Sequence, residues 1–255
     1  MKSEDYSPAF TVIAPYYDQL MSFVNYPSWI SYVGTILALS NVKDKIILDL
    51  ACGTGVCLEL LLQKGYQVIG LDNSLSMLEM CKKKLSQVYL TENSSFQLIN
   101  GDMRNFALAK KMPIITCFYD SFNYLLSEAE LLDCFQKIYE VLSENGLFIF
   151  DMNTTHSLRD EWGNQTYHRQ DEDTHSIWTN SYNPQTSIST LRLTLNIRKD
   201  GKEMTLKEIH QERAYPLATI TKILSQIGFK SSLYRHLTFT SAQESDLRIM
   251  GIARK

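Results

Sequence analysis

Short apolar runs alternate with amphipathic helical patterns between Ile46 and Asp151. This alternation predicts a parallel sheet covered by helices on both faces, because parallel strands need helical crossovers and are then buried on both sides. The predicted strands are the runs 46–50, 68–71, 96–99, 114–118 and 147–150.

Two of the intervening helices carry start and stop signals. Ser127 and Glu130 predict a capping box, and apolar residues then recur at steps of four, three and four along one helix face. Asn145-Gly146 is expected to end that helix just before the fifth strand. A second helix is predicted near 74–85, beginning at Ser74, or at Ser76 with Glu79 as another capping box.

The pattern changes after Asn153. Between Leu191 and Ile197 apolar and polar residues alternate strictly, which predicts a half-buried antiparallel strand. Asp200-Gly201 and Asn183-Pro184 are turn signals. Residues 155–215 are therefore interpreted as an inserted β-meander of three or four strands.

The α/β pattern resumes in the last forty residues. Leu217, Ile220, Leu224 and Ile227 form a helical stripe that Gly228 ends. Two strands follow, near 229–237 and 247–253, and the segment between them has no helical pattern. They are predicted to pair as an antiparallel hairpin.

Together these patterns predict an α/β fold with a Rossmann-like, doubly wound, seven-stranded sheet. The sheet is mostly parallel, ends in an antiparallel C-terminal hairpin, and carries a small inserted antiparallel β subdomain. Residues 1–154 and 216–255 form the main predicted domain, and residues 1–40 within it form a helical N-terminal lid. Residues 155–215 form the inserted subdomain.

Composition narrows the function classes. The chain has 255 residues, a hydrophobic fraction of 44% and a formal net charge of −3, so no overall positive field would attract nucleic acid or an anionic membrane. No apolar run approaches the ~20 residues that span a bilayer, and residues 1–10 lack a signal core, so a cytoplasmic location is expected. The five cysteines lack metal-ligand spacing, which predicts reduced thiols and no metal site.

The strongest chemical signal is the segment 49–55, Asp-Leu-Ala-Cys-Gly-Thr-Gly, where the first strand turns into a helix. Gly53 and Gly55 allow a tight turn and a close approach to a ligand. The next helix would direct unpaired N–H groups at that ligand. Asp72 ends the second strand, 19 positions after Gly53, where a carboxylate can bind ribose hydroxyls.

Any adenosine-bearing cofactor would suit those features, so the choice among such cofactors depends on the neighbouring residues. A dinucleotide fingerprint needs a third glycine, but Gly55 is followed by Val56-Cys57-Leu58. Asp49 would repel a pyrophosphate and would suit an ammonium group, such as that of the methionine part of S-adenosylmethionine. A phosphate loop is disfavoured because no Gly-Lys-Ser/Thr follows.

The segment 49–55 resembles motif I of the class I S-adenosylmethionine-dependent methyltransferases. Further segments match the family in its usual order, namely 70–74, 101–104 and 142–151. The resemblance implies a methyltransferase that uses S-adenosyl-L-methionine and releases S-adenosyl-L-homocysteine. It also implies that Asp49 anchors the cofactor's amino group, that Asp72 holds the ribose and that Asp102 accepts from the adenine amino group. The implied cofactor-binding residues are Asp49, Ala51, Cys52, Gly53, Gly55, Asp72, Asn73, Met77, Asp102, Met103 and Tyr119.

The acceptor site has no obligatory signature, because the enzyme must chiefly align two reactants and exclude water. The fourth strand leads into 118–124, at the sheet edge where ligands bind in such folds. The family's Asn/Asp-Pro-Pro-Tyr/Phe signature of amino- or nucleobase-methylating members is absent there. The lid offers Tyr16, Tyr17, Asp18, Tyr26 and Trp29, although it could simply be an amphipathic helix packed on the sheet.

The end of the insertion contains a third group of candidate acceptor-site residues, after the segment 118–124 and the lid. As a strand, 210–215 would place His210 and Glu212 on one face and Arg213 and Tyr215 on the other, or it could be a surface strand with paired charges. The acceptor cleft is predicted to be walled by Tyr17, Tyr119, Asp120 and Asn123, with His210 or Arg213 reaching in. Asp120 or His210 could take a proton.

The predicted function is S-adenosylmethionine-dependent N- or O-methylation of a small-molecule acceptor, with Tyr17, Tyr119, Asp120 and His210 as the candidate catalytic residues. An insertion after the fifth strand resembles nucleotide-sugar N-methyltransferases and glycine N-methyltransferase in architecture. Two alternatives stay open: an NAD-dependent oxidoreductase, and a non-catalytic methyltransferase-like binding protein. Assembly as a homodimer is also left open.

Overall fold

A computed structural model describes residues 6–88, 94–199 and 201–255. The first half of the chain alternates strands and helices. Its elements are β1 (Ser7–Pro8), a 3-10 turn (Ala14–Tyr16), α1 (Tyr17–Leu20), α2 (Tyr26–Leu39), β2 (Ile46–Leu50), α3 (Val56–Gln63), β3 (Gln67–Asp72), α4 (Leu75–Leu85), β4 (Ser95–Asn100), β5 (Met112–Cys117) and a 3-10 turn (Ser121–Tyr124).

The second half begins with a long helix and strand and then runs through a meander before one last helix. Its elements are α5 (Glu128–Val141), β6 (Leu142–Asn153), a π-helical turn (Ser157–Glu161), β7 (Thr166–Gln170), β8 (Thr174–Asn183), β9 (Ile188–Lys199), β10 (Lys202–Arg213), α6 (Leu217–Ile227), β11 (Lys230–Arg235) and β12 (Arg248–Arg254).

The main sheet has seven strands in the order β11-β12-β6-β5-β2-β3-β4. Strands β4, β3, β2, β5 and β6 run parallel, whereas β12 is antiparallel to both β6 and β11. The predicted Rossmann-like sheet and its closing hairpin are therefore confirmed. The order reverses between β2 and β5, and the carboxyl ends of such strands open the crevice in which ligands bind in this architecture.

Two layers of helices bury the sheet. The side chains of Leu131, Phe135 and Ile138 on α5 are fully buried, in one core cluster with apolar residues of α6. Apolar residues of α2, α3 and α4 lie in a second cluster with Ile47, Val68 and Ile114 of the sheet. The apolar stripe predicted on α5 is thus the face that packs on the sheet.

The helix ends confirm two of the predicted signals and correct two. Ser127 caps α5 by accepting from the backbone N–H of Glu130 at 3.1 Å, as predicted. Ser74 caps α4, so the alternative box at Ser76 is wrong. Helix α5 ends at Val141, and Asn145-Gly146 lie inside β6, because Leu142 already pairs with Met112 on β5. A register shift before Ile114 and a left-handed φ of 59° at Asn145 accommodate this early pairing.

A second sheet has five strands in the order β1-β10-β9-β8-β7. Strands β7 to β10 form the antiparallel meander that the alternating pattern predicted. The turn after Asn183 is where Asn183-Pro184 predicted it. Gly201 lies between the paired residues Lys199 and Lys202, whereas Asp200 of the predicted turn lies outside the described residues.

The N-terminal segment differs from the expected helical lid. Helices α1 and α2 are present, but Ser7–Pro8 form a strand that pairs in parallel with β10. The carboxylate of Glu208 on β10 accepts from the backbone N–H groups of Phe10 and Thr11, which ties the segment to the second sheet. The π-helical turn Ser157–Glu161 is a second feature that the sequence pattern did not predict.

All five cysteines are buried and free of disulfide bonds. Among the helices of residues 6–88, 94–199 and 201–255, none combines the length and the apolar character that crossing a membrane requires.

Candidate active site

Two adjoining cavities lie at the carboxyl edge of the seven-stranded sheet. The first has a volume of about 450 Å³ and is lined by the ends of β2 and β3, by residues 101–104 and by residues 8–10. The second has a volume of about 400 Å³ and is lined by residues of the five-stranded sheet. Four aromatic residues line both and form what we call the aromatic border: Phe10, Tyr17, Tyr119 and Tyr124.

The loop after β2 has three residues in the left-handed region, with φ of 52° at Ala51, 55° at Gly53 and 79° at Gly55. A Cβ added to Gly53 would meet no atom within 4 Å, so this glycine leaves the first cavity open. A Cβ on Gly55 would lie 2.4 Å from Sγ of Cys81. The missing side chain of Gly55 therefore makes room for α4. Gly55 is not among the residues that line the first cavity, and its part in cofactor binding stays a prediction.

Asp72 holds this loop against the end of β3. Its Oδ2 accepts from the backbone N–H of Gly53 at 2.7 Å, and its Oδ1 accepts from that of Ser74 at 2.8 Å. Burial raises the pKa of Asp72, and these hydrogen bonds oppose the rise. The carboxylate is thus fixed at the wall of the first cavity.

Asp49 also lines the first cavity, with 3% of its surface exposed. Its Oδ1 accepts from the hydroxyl of Thr116 at 2.6 Å. Burial raises the pKa of Asp49 to about 7, and the charge of Asp72 adds to the rise. A buried carboxylate of this kind, with one hydroxyl partner, suits a cationic group as its ligand.

The lining of the first cavity also includes Asn73, Met77, Asp102 and Met103. The Asp102 carboxylate accepts from the backbone N–H of Arg104 at 2.8 Å and forms an ion pair of 2.6 Å with its guanidinium. The hydrogen bond from the Arg104 side chain lowers the pKa of Asp102. Arg104, which sequence reasoning did not single out, also pairs with Glu130.

One member of the aromatic border, Tyr119, lies in a strained turn. Tyr119 and Asp120 follow β5 with φ of 59° and 53°, and such a conformation costs non-glycine residues about 1–3 kcal/mol each. The carboxylate of Asp151, fully buried at the end of β6, accepts from the backbone N–H groups of both. Consecutive strained residues held by a buried acid are typical of a functional site.

Arg248 on β12 completes a buried ion cluster behind this turn. Its guanidinium lies 2.6 Å from Oδ1 of Asp120, contacts Asp151, and stands 5.0 Å from the centre of the Tyr119 ring. Burial raises the pKa of Asp120, whereas the charge of Arg248 lowers it. Asp120 lines the second cavity as an ion-paired group, which differs from the free proton acceptor that the sequence suggested.

His210 and Glu212 point from one face of β10 into the second cavity, as the period of two predicted. The Nδ1 of His210 lies 3.0 Å from the hydroxyl of Tyr124, and its Nε2 lies 3.1 Å from Oε2 of Glu208. Glu212 accepts from the side-chain amide of Asn153 at 3.0 Å. Burial and the nearby charge of Asp120 raise the pKa of Glu212 well above its usual range.

Two residues expected in the acceptor wall lie elsewhere. Asn123 is fully buried and donates to the backbone carbonyls of Asn153 at 3.1 Å and Arg213 at 2.9 Å. The side chain of Arg213 donates to the carbonyl of Leu126 at 3.1 Å. Neither lines the second cavity, because the amide and the guanidinium are used to join β10 to the main sheet.

The rest of the second cavity is mostly apolar. Arg169 is the cation at its wall, donating to the carbonyl of Leu20 at 3.2 Å with its guanidinium 4.7 Å from the Phe23 ring. The remaining aromatic and aliphatic lining residues come from the segments on either side of α1, from the end of the π-helical turn and from the second sheet. They are Ile13, Met21, Phe23, Trp162, Tyr167, Trp178, Leu191 and Leu193.

A doubly wound sheet with a glycine-containing first loop, two buried carboxylates beside it and an adjoining aromatic cavity defines an enzyme site for a nucleoside-type cofactor and a second reactant. Residues 47–146 match the family described as "Methyltransferase domain". A presumptive methyltransferase of Geobacillus sp. (strain WCH70) is 30% identical over 247 residues, which cover 95% of this chain and 98% of the relative.

Solved structures agree with that match. An S-adenosylmethionine-dependent methyltransferase from Clostridium acetobutylicum superimposes with a TM-score of 0.85 at 26% identity, covering 95% of this chain and 97% of the other. A sugar N-methyltransferase from Streptoalloteichus sp. has the same fold, with a TM-score of 0.79 at 16% identity, covering 100% and 98%. The chain belongs to the class I S-adenosylmethionine-dependent methyltransferases and is an enzyme with S-adenosylmethionine as its cofactor. The oxidoreductase and non-catalytic alternatives are therefore wrong.

Proposed function

We propose that this enzyme methylates the amino group of a small molecule bound in the second cavity. The observation that carries the proposal is the cavity itself, which has a volume of about 400 Å³, shares the aromatic border with the first cavity, and has largely apolar and aromatic walls. Aromatic faces favour a cationic reactant. The net charge of −3 argues against nucleic acid as the acceptor.

The first cavity would hold the cofactor through residues of the β2 and β3 loops. In this proposal Asp49 pairs with the amino group, Asp72 with the ribose hydroxyls, and Met77 packs on the adenine. The backbone around Ala51, Cys52 and Gly53 approaches the methionine part, and Asn73, Asp102 and Met103 complete the adenosine side. When bound, the cofactor supplies a methyl group that its sulfonium has already activated.

The protein's own contribution is then alignment, exclusion of water and removal of a proton. Tyr17 and Tyr119 wall the border between the cavities, where their rings exclude water from the two reactants. Asp120 is ion-paired with Arg248, so its proposed part is to position Tyr119 and the acceptor. His210 is the proposed proton acceptor, because a protonated amine has no lone pair to react with.

The name of the Streptoalloteichus neighbour, a sugar N-methyltransferase, supports an amino sugar as one class of acceptor to test. Glucosamine, glycine and simple alkylamines would be incubated with S-adenosylmethionine, and S-adenosylhomocysteine formation measured. Glucose serves as the matched hydroxyl control for glucosamine. Turnover of an amine with none for its hydroxyl counterpart supports the proposal; turnover of hydroxyl compounds alone contradicts it.

The location of the acceptor can be tested with three variants of the second cavity. Tyr119→Phe, Asp120→Asn and His210→Ala should reduce turnover of the amine while affinity for S-adenosylhomocysteine, measured by titration calorimetry, stays unchanged. Turnover equal to that of the parent in all three variants would show that the acceptor binds elsewhere.

A further inference from the structure

Glu208 is a fully buried carboxylate on the same face of β10 as His210. Its two oxygens accept from the backbone N–H groups of Phe10 at 2.8 Å, Thr11 at 2.8 Å and Ile13 at 2.9 Å. Burial by itself would raise the pKa of Glu208, but the hydrogen bonds from His210 and from these backbone groups outweigh it and lower the pKa. Glu208 is therefore ionised and can only accept hydrogen bonds.

This fixes the direction of the next two hydrogen bonds. Because Glu208 only accepts, Nε2 of His210, 3.1 Å away, must carry the hydrogen. In the neutral imidazole Nδ1 is then an acceptor, so the Tyr124 hydroxyl, 3.0 Å away, must donate to it. The phenol oxygen of Tyr124 has only lone pairs left to offer, and Tyr124 lines both cavities.

We propose that Tyr124, His210 and Glu208 form a proton relay that deprotonates the acceptor amine at the aromatic border. The inference rests on the proposed function, since it requires an acceptor that carries a removable proton. The proton leaves the acceptor nitrogen for the oxygen of Tyr124, while the proton of Tyr124 passes to Nδ1 of His210. The nitrogen keeps its electron pair, and the resulting imidazolium is paired with the Glu208 carboxylate. The proton returns to water by the same path after product leaves.

The other ionisable groups at the second cavity are less suited to the task. Asp120 is held by Arg248 at 2.6 Å, and burial raises the pKa of Glu212 well above its usual range, which favours its neutral form. The guanidinium of Arg169 has no lone pair with which to accept a proton. Burial also raises the pKa of Tyr124 well above its usual range, so the phenol keeps its proton until His210 takes it.

In this relay Glu208 is a positioning residue with two connections. It orients His210, and it anchors residues 10–13, whose Phe10 ring lies 5.0 Å from the rings of both His210 and Tyr124. The N-terminal segment and the relay are therefore assembled by the same carboxylate.

The tautomer of His210 tests the relay without any acceptor. Long-range ¹H–¹⁵N correlation spectra of the free enzyme would report the tautomers of its five histidines, and the spectrum of His210→Gln would assign the signal of His210. We expect the Nε2–H form in the parent. In Glu208→Gln the amide can donate to Nε2, and we expect the Nδ1–H form. The Nδ1–H form in the parent would overturn the relay.

Kinetics with glucosamine, or with whichever amine of the panel turns over, test whether the relay takes part in catalysis. Tyr124→Phe and His210→Gln should each lower kcat about 100-fold at neutral pH, the lower end for general acid–base catalysis, with unchanged affinity for S-adenosylhomocysteine. The loss should shrink above the pKa of the amine itself, where solvent has already removed the proton. Tyr139→Phe, a tyrosine outside both cavities, is the matched control.

These experiments distinguish failure of the relay from failure of the proposed function. Full activity of Tyr124→Phe beside an inactive His210→Gln would overturn the relay and leave His210 as a direct base. If no amine is methylated, the proposed function fails, while the tautomer measurement still decides the order of the hydrogen bonds. Loss of activity in Glu208→Gln supports the relay only if the tautomer of His210 also changes. A merely structural role of Glu208 would not alter that tautomer.

Discussion

The two cavities are built in different ways although they share a border. The first is lined largely by loops that follow neighbouring strands of one sheet, chiefly 49–57, 71–77 and 101–104. The second draws on the N-terminal segment, the turn after β5, the π-helical turn and strands β7 to β10. A site built from consecutive β-strand loops is visible as a motif, whereas a site assembled from distant segments is not.

The walls of the two cavities also differ in chemistry. In the first cavity backbone geometry and carboxylates dominate, as shown by the left-handed Gly53 and the hydrogen bonds of Asp72. In the second cavity aromatic rings dominate, and its carboxylates belong to ion pairs or hydrogen-bond chains. In the proposed function the first cavity fits one constant cofactor, whereas the ring packing of the second can be altered to fit different acceptors.

The most direct test of this difference between the two cavities is the variant Gly53→Val. A Val side chain at φ of 55° would be strained and would project into the open first cavity. We expect affinity for S-adenosylhomocysteine to fall by about 5- to 150-fold, since overpacking costs ~1–3 kcal/mol. Gly201→Val, at φ of 71° with no atom near its Cβ, carries the same strain outside both cavities.

Titration calorimetry on both variants separates the two effects. Gly201→Val should bind S-adenosylhomocysteine like the parent although it is destabilised. Unchanged binding by Gly53→Val would mean that this loop does not face the cofactor.

The contrast also explains what could be predicted from the sequence. Alternation of apolar runs predicted the parallel sheet, and period-two alternation predicted β9, because both patterns arise from burial that is local along the chain. Ser127 with Glu130 predicted the start of α5 for the same reason, since a cap bonds within one turn. Asp49 and Asp72 could be singled out because they lie at the carboxyl ends of two consecutive strands, β2 and β3.

Other features depend on contacts between distant residues. Arg248 meets Asp120 across 128 positions, and Glu208 meets Phe10 across 198 positions. Nothing in the sequence marks Tyr124, 86 positions before His210, as its partner. Gly55 has a packing role that the motif did not indicate, because its missing side chain makes room for Cys81.

The second prediction concerns the ion cluster behind the aromatic border. Arg248→Met would leave Asp120 and Asp151 buried without their shared cation. Removing one partner of a buried ion pair costs about 3–5 kcal/mol, and we expect the free energy of unfolding to fall by that amount. Urea denaturation measures it, with Arg198→Met as the control, because Arg198 and Glu203 form an exposed pair whose side chains are 76% and 75% accessible.

Little change is expected for Arg198→Met, since exposed ion pairs contribute little. Adding Asp120→Asn to Arg248→Met should recover part of the lost stability. A parent-like unfolding curve for Arg248→Met would contradict the role given to this cluster.

The third prediction compares two carboxylates of the first cavity, Asp72 and Asp102. Asp72→Ala should weaken binding of S-adenosylhomocysteine by about 1–3 kcal/mol, because the loop loses its acceptor for Gly53 and Ser74 and the ligand loses a carboxylate. Asp102→Ala should cost less, because the Asp102 carboxylate already pairs with Arg104 and its proposed partner is a neutral amine. Calorimetry on both folded variants decides the order. Equal, parent-like affinities would place the adenosine elsewhere.

The smallest effect expected is the pH dependence of Asp49, whose pKa burial raises to about 7 in the free enzyme. Between its unfolded pKa of ~3.9 and about 7 the folded state holds the extra proton, so this group lowers the free energy of unfolding as pH rises through that window. If the ionised carboxylate pairs with the cofactor's ammonium, affinity for S-adenosylhomocysteine should fall as pH drops below 7, by up to about tenfold per unit. The variant Asp49→Asn tests this argument.

Asp49→Asn keeps an acceptor for the Thr116 hydroxyl while removing the charge. At pH 8 this variant should have a higher melting temperature than the parent in the free protein, and it should bind S-adenosylhomocysteine more weakly. Its affinity should no longer vary between pH 6 and 8. Binding by the parent that is equally independent of pH, or an unchanged melting temperature in the variant, would show that Asp49 does not bear the charge that the cofactor meets.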